Sequence, residues 1–451
     1  MVHTGAITGP FNVNQNPDVA LLYYYGYKSY QEYFGKMCYS GRTTNTSKDF
    51  SHLALMKQAR DKNIYTGERQ NRDDTAWNAI KQYVPKYRYY DELFPDPPEP
   101  LPTPNYHKNK KCAINFHGVL RSFSSVALWT IVENIILPNS RYNCDYFIHF
   151  HSIDYENRSR SGFGGALDSG QVYKLKNAIP NQNKHNITVA FSNSSEEEIL
   201  RNHADLIQKI KTEKDSEGRY IYQPHNPEDT LFTAETVINI VKMWHNQGSV
   251  WKLMESHEEK FGRKYDQIAM IRLDSAYVTP INVFHYDDQQ ISRDRWNKTV
   301  IIPGFARFPV NDRLVYGPRE AVKMWANRLE LIDHHIQHAR VQHPTIGLHS
   351  EQFLDKTVFP LLRQQGYNIV RDDDICFLRT RANNIVWLGD CNFASNVNTD
   401  QEWMNDPGKV KDKVEWAVKR ICSMTDAFIG KPQLQCNPTS PPLSHERMCS
   451  M

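Results

Sequence analysis

Residues 261–284, FGRKYDQIAMIRLDSAYVTPINVF, constrain the fold of this chain more than any other stretch. The apolar run Ile268-Ala269-Met270-Ile271 is followed at once by Arg272 and Asp274, with Pro280 shortly after, the pattern of a buried strand that ends in charge. Open α/β sheets place their ligands outside such strand ends. A carboxylate there needs an arginine, a metal ion or a polar ligand to offset its desolvation. The plain alternative is an Arg272/Asp274 pair with a purely structural role.

A chain of 451 residues can bury a sizeable core, as one large domain with appendages or as two domains. The 54 Lys+Arg nearly balance the 51 Asp+Glu, so no overall basic field points to nucleic acid. No apolar run is long enough for a membrane span, and the start lacks the basic and apolar regions of a signal peptide, which fits a cytoplasmic chain. Sequons at Asn45, Asn157, Asn186, Asn193 and Asn297 fit a secretory or Golgi lumen instead. The eight cysteines show no CxxC and no zinc spacing, and leave the redox compartment open.

Residues 1–94 read as a helical or irregular extension, with candidate helices at 49–61 and 74–84. The segment PDPPEPLPTP, residues 95–104, is too rich in proline for a helix or central strand, and marks a linker over 95–110. A main domain is expected over 111–390, followed by a C-terminal helix at 410–424 and a mobile tail. Within the domain, a strand at 112–116 leads through a turn at 117–122 into an amphipathic helix at 124–137. The helix N-terminus and Arg121 offer backbone N–H groups and a fixed positive charge to a diphosphate. A second strand, 146–150, ends in His149 and His151, and Gly162–Gly165 reads as a flexible loop. Helix patterns follow at 194–198, where acids suit an N-terminus, and at 231–251, where Gly248 marks a break. A strand is expected at 300–302, and Pro318 is expected to open a helix through Ala321, Met324, Trp325 and Ile332. His334, His335 and His338 suggest a metal cluster, but adjacent histidines point to different sides of a helix, which favours a solvated face. Ser350 is placed as the N-cap of a helix stopped by Gly366, with strands at 367–370 and 376–378 beyond it.

In this order, the segments CAINFHGVLRSF, YNCDYFIHF, KMWHNQGSVWKLMESHEEKFGRKYDQIAMIRLD, NDRLVYGPREAV and HSEQFL resemble those of glycosyltransferase-like proteins with the GT-A, nucleotide-diphospho-sugar transferase fold. The resemblance covers about residues 111–385. It implies an α/β fold with a Rossmann-type, mainly parallel sheet flanked by helices, and transfer of a sugar from a nucleotide-sugar donor to a glycan or protein-linked acceptor. Arg272-Leu273-Asp274 looks like the counterpart of the DxD motif. One acid stands where a full DxD has two, so metal dependence, by Mn²⁺ or Mg²⁺ held at Asp274, stays open.

Such a transfer needs stabilisation of a leaving diphosphate, and a base for the acceptor hydroxyl if configuration inverts. Asp274, Glu351 and Asp312 are the catalytic candidates. Gly118, Arg121, His149, Arg272, Asn311, Arg313, Ser350, Arg379 and Arg381 are the donor-binding candidates. Two alternatives compete. A sulfotransferase could cradle phosphate on Gly118–Ser125, though that loop lacks a lysine and the reading leaves Asp274 and Glu351 unexplained. A non-catalytic carbohydrate-binding relative would keep the fold without needing either acid.

Overall fold

A computed structural model describes residues 110–157, 164–167, 169–180, 185–225, 232–285, 297–305, 309–387, 407–425 and 443–444. The expectations for residues 1–94, for the proline-rich stretch and for most of the C-terminal tail lie outside the described residues.

Seven strands form the central sheet: β1 (Cys112–Gly118), β2 (Asp145–Ser152), β3 (Val189–Ser195), β4 (Gln267–Arg272), β6 (Thr299–Pro303), β7 (Val315–Pro318) and β8 (Asn368–Asp372). A short strand, β5 (Ser275–Tyr277), belongs to a second sheet. The central order is β8-β6-β7-β4-β1-β2-β3, and every pairing is parallel except those of β7 with β4 and β6. The protein is therefore α/β, with a mostly parallel sheet flanked by helices. The strands expected at 112–116, at 146–150 and over the Ile268–Ile271 run are neighbours in it, with His117 aligned to both His149 and Arg272.

The centre of the sheet is buried because β1, β2 and β4 are largely apolar on both faces, as parallel strands require, while the edge strands β3 and β8 are partly exposed. On one face lie α1 (residues 123–139) and the helix Pro407–Met424, joined by an Arg420–Glu133 ion pair at 3.1 Å. On the other lies α2 (Ala234–Phe261), whose Trp244, Trp251 and Met254 are fully buried beneath Ala113, Phe147, Ile268 and Met270. The expected break at Gly248 is absent: α2 runs through it as one 28-residue helix. A mid-helix glycine costs about 1 kcal/mol, less than the burial of one tryptophan restores. Gly248 also lies against Asn327, whose Oδ1 is 3.7 Å from its Cβ position.

Three other boundaries differ from expectation. Pro318 closes β7 in extended backbone, and the following helix, α3 (Arg319–Ala326), stops before Ile332. The strand expected at 376–378 is β9 (Phe377–Arg381), so Arg379 and Arg381 lie within it and not beyond it. It pairs antiparallel with β5 and with β10 (Ile385–Trp387), and β10 pairs with β11 (Leu443–Ser444). Gly165 is not in an open loop: it pairs with Glu156 in a two-residue antiparallel ladder, and its Cβ position is filled by the Asn383 side chain.

Cys112 opens β1 and Cys144 immediately precedes β2, and the two form a buried disulfide across adjacent strands. Closing a loop of this length contributes about 3–4 kcal/mol through the unfolded chain.

Candidate functional site

The strand order reverses between β1 and β4, because the chain goes outward from β1 to β2 and β3 and then returns to the far side. That reversal opens a crevice outside the carboxyl ends of β1 and β4. Gly118 and Arg121 follow β1 there, and Asp274 follows β4.

Gly118 takes φ 117°, a conformation that favours glycine, and a Cβ added to it would meet nothing within 4 Å. The turn then passes through Ser122 at φ 47°. β9 fixes the turn: the Thr380 hydroxyl donates to the Arg121 carbonyl at 2.7 Å, Ser122 donates to the Arg381 carbonyl, and the Thr380 amide donates to the Asp274 carbonyl at 2.9 Å. The second sheet thus brings Arg379 and Arg381 to the turn that carries Arg121.

Asp274 is 1% exposed. Arg272 donates to both its oxygens at 2.8 Å, and Arg121 Nη1 donates to its Oδ2. Burial alone would raise its pKa, but the Arg272 and Arg121 charges outweigh burial and hold it ionised far below the usual carboxylate range. Arg381, 3% exposed, is held well below the usual arginine value by burial and then by the charges of Arg379 and Arg121. Arg121 also pairs with Glu156, through Nε at 2.7 Å and through Nη2.

A second group of charges flanks the first. α4 (residues 350–364) begins after His349, which is its N-cap: the His349 ring accepts from the Gln352 amide at 3.4 Å. Ser350 is therefore not the cap but the first helical residue. It is 4% exposed, donates to Asp312 Oδ2 at 2.5 Å, and accepts from Arg328 Nη1 at 3.1 Å and Trp244 Nε1 at 3.3 Å. Arg328, fully buried, also donates to Gln247 at 2.8 Å and lies over the Trp325 ring at 4.1 Å. Its pKa falls to about 10, from burial first and then from Arg272, with Asp312 and Glu351 opposing.

Glu351 and Asp312 are pushed apart. Burial would raise Asp312, but Arg328, Arg313 and the Ser350 hydroxyl hold it low. Glu351 rises to about 8, from burial and then from the Asp312 charge, with Arg313 and Arg379 opposing. Its side chain keeps 18% exposure, and its Oε2 lies 3.3 Å from His349 Nδ1. Two neighbouring acids, one fixed as an anion and one near neutrality, are the arrangement from which acid–base roles are built. Arg272 links the two groups, because it feels both Asp274 and Asp312.

Two donor-binding candidates, Asn311 and His149, stand apart. Asn311, fully buried, donates to the Phe305 carbonyl at 2.8 Å and accepts from the Arg313 amide at 2.9 Å, so its amide shapes its own loop. His149 is 3% exposed and bonds to the Ser192 hydroxyl at 2.9 Å beside His245. Of the three helical histidines His334, His335 and His338, His335 is not solvated as expected. It is fully buried between Thr357 Oγ1 at 2.7 Å and the Gly347 carbonyl at 2.8 Å, while His334 and His338 lie together at 4.3 Å between ring centroids.

Asp274 does not fit the donor set of a divalent cation. Hard cations take several free carboxylate or carbonyl oxygens, whereas both Asp274 oxygens accept guanidinium N–H groups.

The residues that sequence reading passed over are Glu156, Arg328, Gln247, Trp244 and Thr380. Arg328 carried a signal, since it falls three positions after Trp325 and four before Ile332, on the inward stripe. Glu156 carried none.

No family model matches this chain, and no curated protein matches it. Solved structures similar to it include mouse xyloside xylosyltransferase 1 in its apo form, at 10% identity and TM-score 0.29, over 58% of this chain and 84% of that one. Another is the mannosyltransferase Ktr4p from S. cerevisiae, at 10% identity and TM-score 0.19, over 65% of this chain and 64% of that one. At such TM-scores the likeness carries no functional argument, which rests on the geometry above.

Proposed function

We propose that the protein is a glycosyltransferase that binds the diphosphate of a nucleotide-sugar at the β1/β4 crevice and passes the sugar to a glycan or protein-linked acceptor. The observation that carries this reading is the convergence of Arg121, Arg272 and Arg381 around Asp274 at the switch point, with Arg379 beside Arg381 and a carboxyl held near neutrality at Glu351. Guanidinium groups hold phosphate oxygens two at a time and supply fixed positive charge to a leaving diphosphate. Here Asp274 orients arginines, and the diphosphate charge falls to those arginines instead of to Mn²⁺ or Mg²⁺. Glu351, once ionised, takes the acceptor proton, and burial and then the neighbouring Asp312 charge raise its basicity for that task.

The sulfotransferase alternative finds an arginine-lined turn after β1 as well, but it gives Glu351 and Asp312 no task. The Cys112–Cys144 disulfide and the exposed sequon residues Asn157, Asn186, Asn193 and Asn297 favour an oxidising, secretory setting for this chemistry.

The test is a thermal-shift screen of UDP-, GDP- and CMP-sugars, and of a phosphosulfate donor, each with EDTA and with Mn²⁺. One nucleotide-diphospho-sugar is expected to raise the melting temperature equally under both conditions. A shift only with Mn²⁺ would return the diphosphate to a metal, and a shift only with the phosphosulfate would favour the alternative.

A further inference from the structure

Arg121 is gripped from two sides, and the two grips differ. Its Nη1 turns to Asp274, which Arg272 also holds through two contacts and which directly follows a central strand. Its Nε and Nη2 turn together to the two oxygens of Glu156, at 2.7 Å for Nε. That paired edge is the one on which a guanidinium takes two oxygens of a phosphate as readily as two of a carboxylate. A donor diphosphate reaching Arg121 must therefore displace one of these acids.

Glu156 is the acid that yields. Its side chain is 13% exposed against 1% for Asp274. It lies on the two-residue strand Tyr155–Glu156, which among the described residues pairs with Gly165–Ala166 alone and belongs to neither larger sheet. The partner strand is itself held: Asn383 Nδ2 donates to the Gly164 carbonyl at 3.2 Å and its amide fills the Cβ position of Gly165. Departure of Glu156 thus needs a side-chain rotation and no movement of the ladder.

Resting on the donor reading above, we propose that Glu156 is an exchangeable carboxylate, which occupies the phosphate edge of Arg121 until the diphosphate replaces it. Glu156 keeps Arg121 extended into the crevice in the free protein, and it sets a threshold that singly charged anions do not overcome. It touches neither reacting centre, so it acts as a specificity residue through Arg121.

Isothermal titration of the full chain with UDP, GDP and inorganic pyrophosphate tests this, using wild type, Glu156→Gln, Glu156→Ala, Glu156→Asp and, as a charge control, Glu196→Gln. Glu196 pairs with Lys242 at 2.6 Å, whereas the ion pairs of Arg121 are with Glu156 and Asp274. Glu156→Gln and Glu156→Ala should bind the preferred diphosphate about tenfold more tightly, because an amide or methyl competes poorly for a guanidinium edge. Glu156→Asp and Glu196→Gln should stay near wild type. Unchanged or weaker binding in both Glu156→Gln and Glu156→Ala, at unchanged melting temperature, would make Glu156 a structural partner and overturn the exchange. Equal tightening in Glu196→Gln would assign the effect to net charge and overturn it too. Binding to none of the proteins would remove the donor reading along with it.

Discussion

Asp274→Asn is expected to lower stability by about 3–5 kcal/mol, the usual cost of removing one partner of a buried ion pair, and to abolish donor binding. Near-isosteric shape does not protect this position. The carboxylate is 1% exposed and accepts from two guanidinium groups, so the amide leaves Arg121 and Arg272 facing each other with half the acceptor capacity gone. Whole-domain stabilities run to about 5–15 kcal/mol, so the variant should fold but melt on the order of 10 °C lower. Loss of the anchor also frees both arginines from the crevice geometry, so donor binding should vanish even where the fold survives. Calorimetry with a donor titration below the melting range checks both parts. An unchanged melting temperature would mean that the pairings contribute little, and intact donor binding would detach Asp274 from the site.

Acid should unfold the domain well before its carboxylates are all protonated. His117 and His149 are lowered to about 3, and His151 and His335 to about 4, with burial the largest cause in each. Their neighbours add to this at His117, where Arg272 and Arg328 oppose protonation more than Asp274 favours it. Both ring nitrogens of His117 are buried without a hydrogen-bond partner. The sign follows from proton counting. Below an unfolded-state pKa of about 6.5 the unfolded chain binds protons that the folded chain refuses, so stability falls as pH drops from that value towards the folded-state values. At pH 5 each such histidine costs about 2 kcal/mol, and four together cost about as much as a whole domain's stability. Melting temperature followed from pH 7.5 to 4.5 should therefore drop steeply below pH 6.5. A flat profile down to pH 5 would mean that these rings are protonated or hydrated in the fold. Glu351 acts in the opposite sense: held at about 8 in the fold against about 4.3 in the unfolded chain, it contributes stability that is present below the unfolded value and is lost as pH rises towards the folded one, so the four histidines dominate below pH 6.5 and the optimum lies near the top of their range.

The central sheet was legible because its signal is local. The apolar runs at Ile114–Phe116, Phe147–Phe150 and Ile268–Ile271 each span a strand buried on both faces, and their order along the chain led to neighbouring positions. What sequence did not reveal is what tertiary packing decides. Gly248 looks like a helix breaker until Trp244 and Trp251 are seen anchoring the helix on either side of it. Ser350 has the chemistry of a cap, but Asp312, Arg328 and Trp244 claim its hydroxyl, which leaves capping to His349. Arg121 and Asp274 could be paired from strand-end logic, whereas Glu156 lies on a two-residue strand with no periodicity to mark it. The Cys112–Cys144 pairing likewise depends on the register of β1 against β2, which no spacing rule supplies.

The two groups of charges are read as one reaction centre with divided tasks, Asp274 and its arginines for the donor and Glu351 for the acceptor proton. Donor titration paired with turnover of the donor in Glu351→Gln tests that division most directly. The variant should bind the donor within about twofold of wild type, while transfer or donor hydrolysis falls by a factor of roughly 10²–10⁴, the range for loss of a general base. Full turnover in Glu351→Gln, or loss of donor binding equal to that of Asp274→Asn, would contradict it.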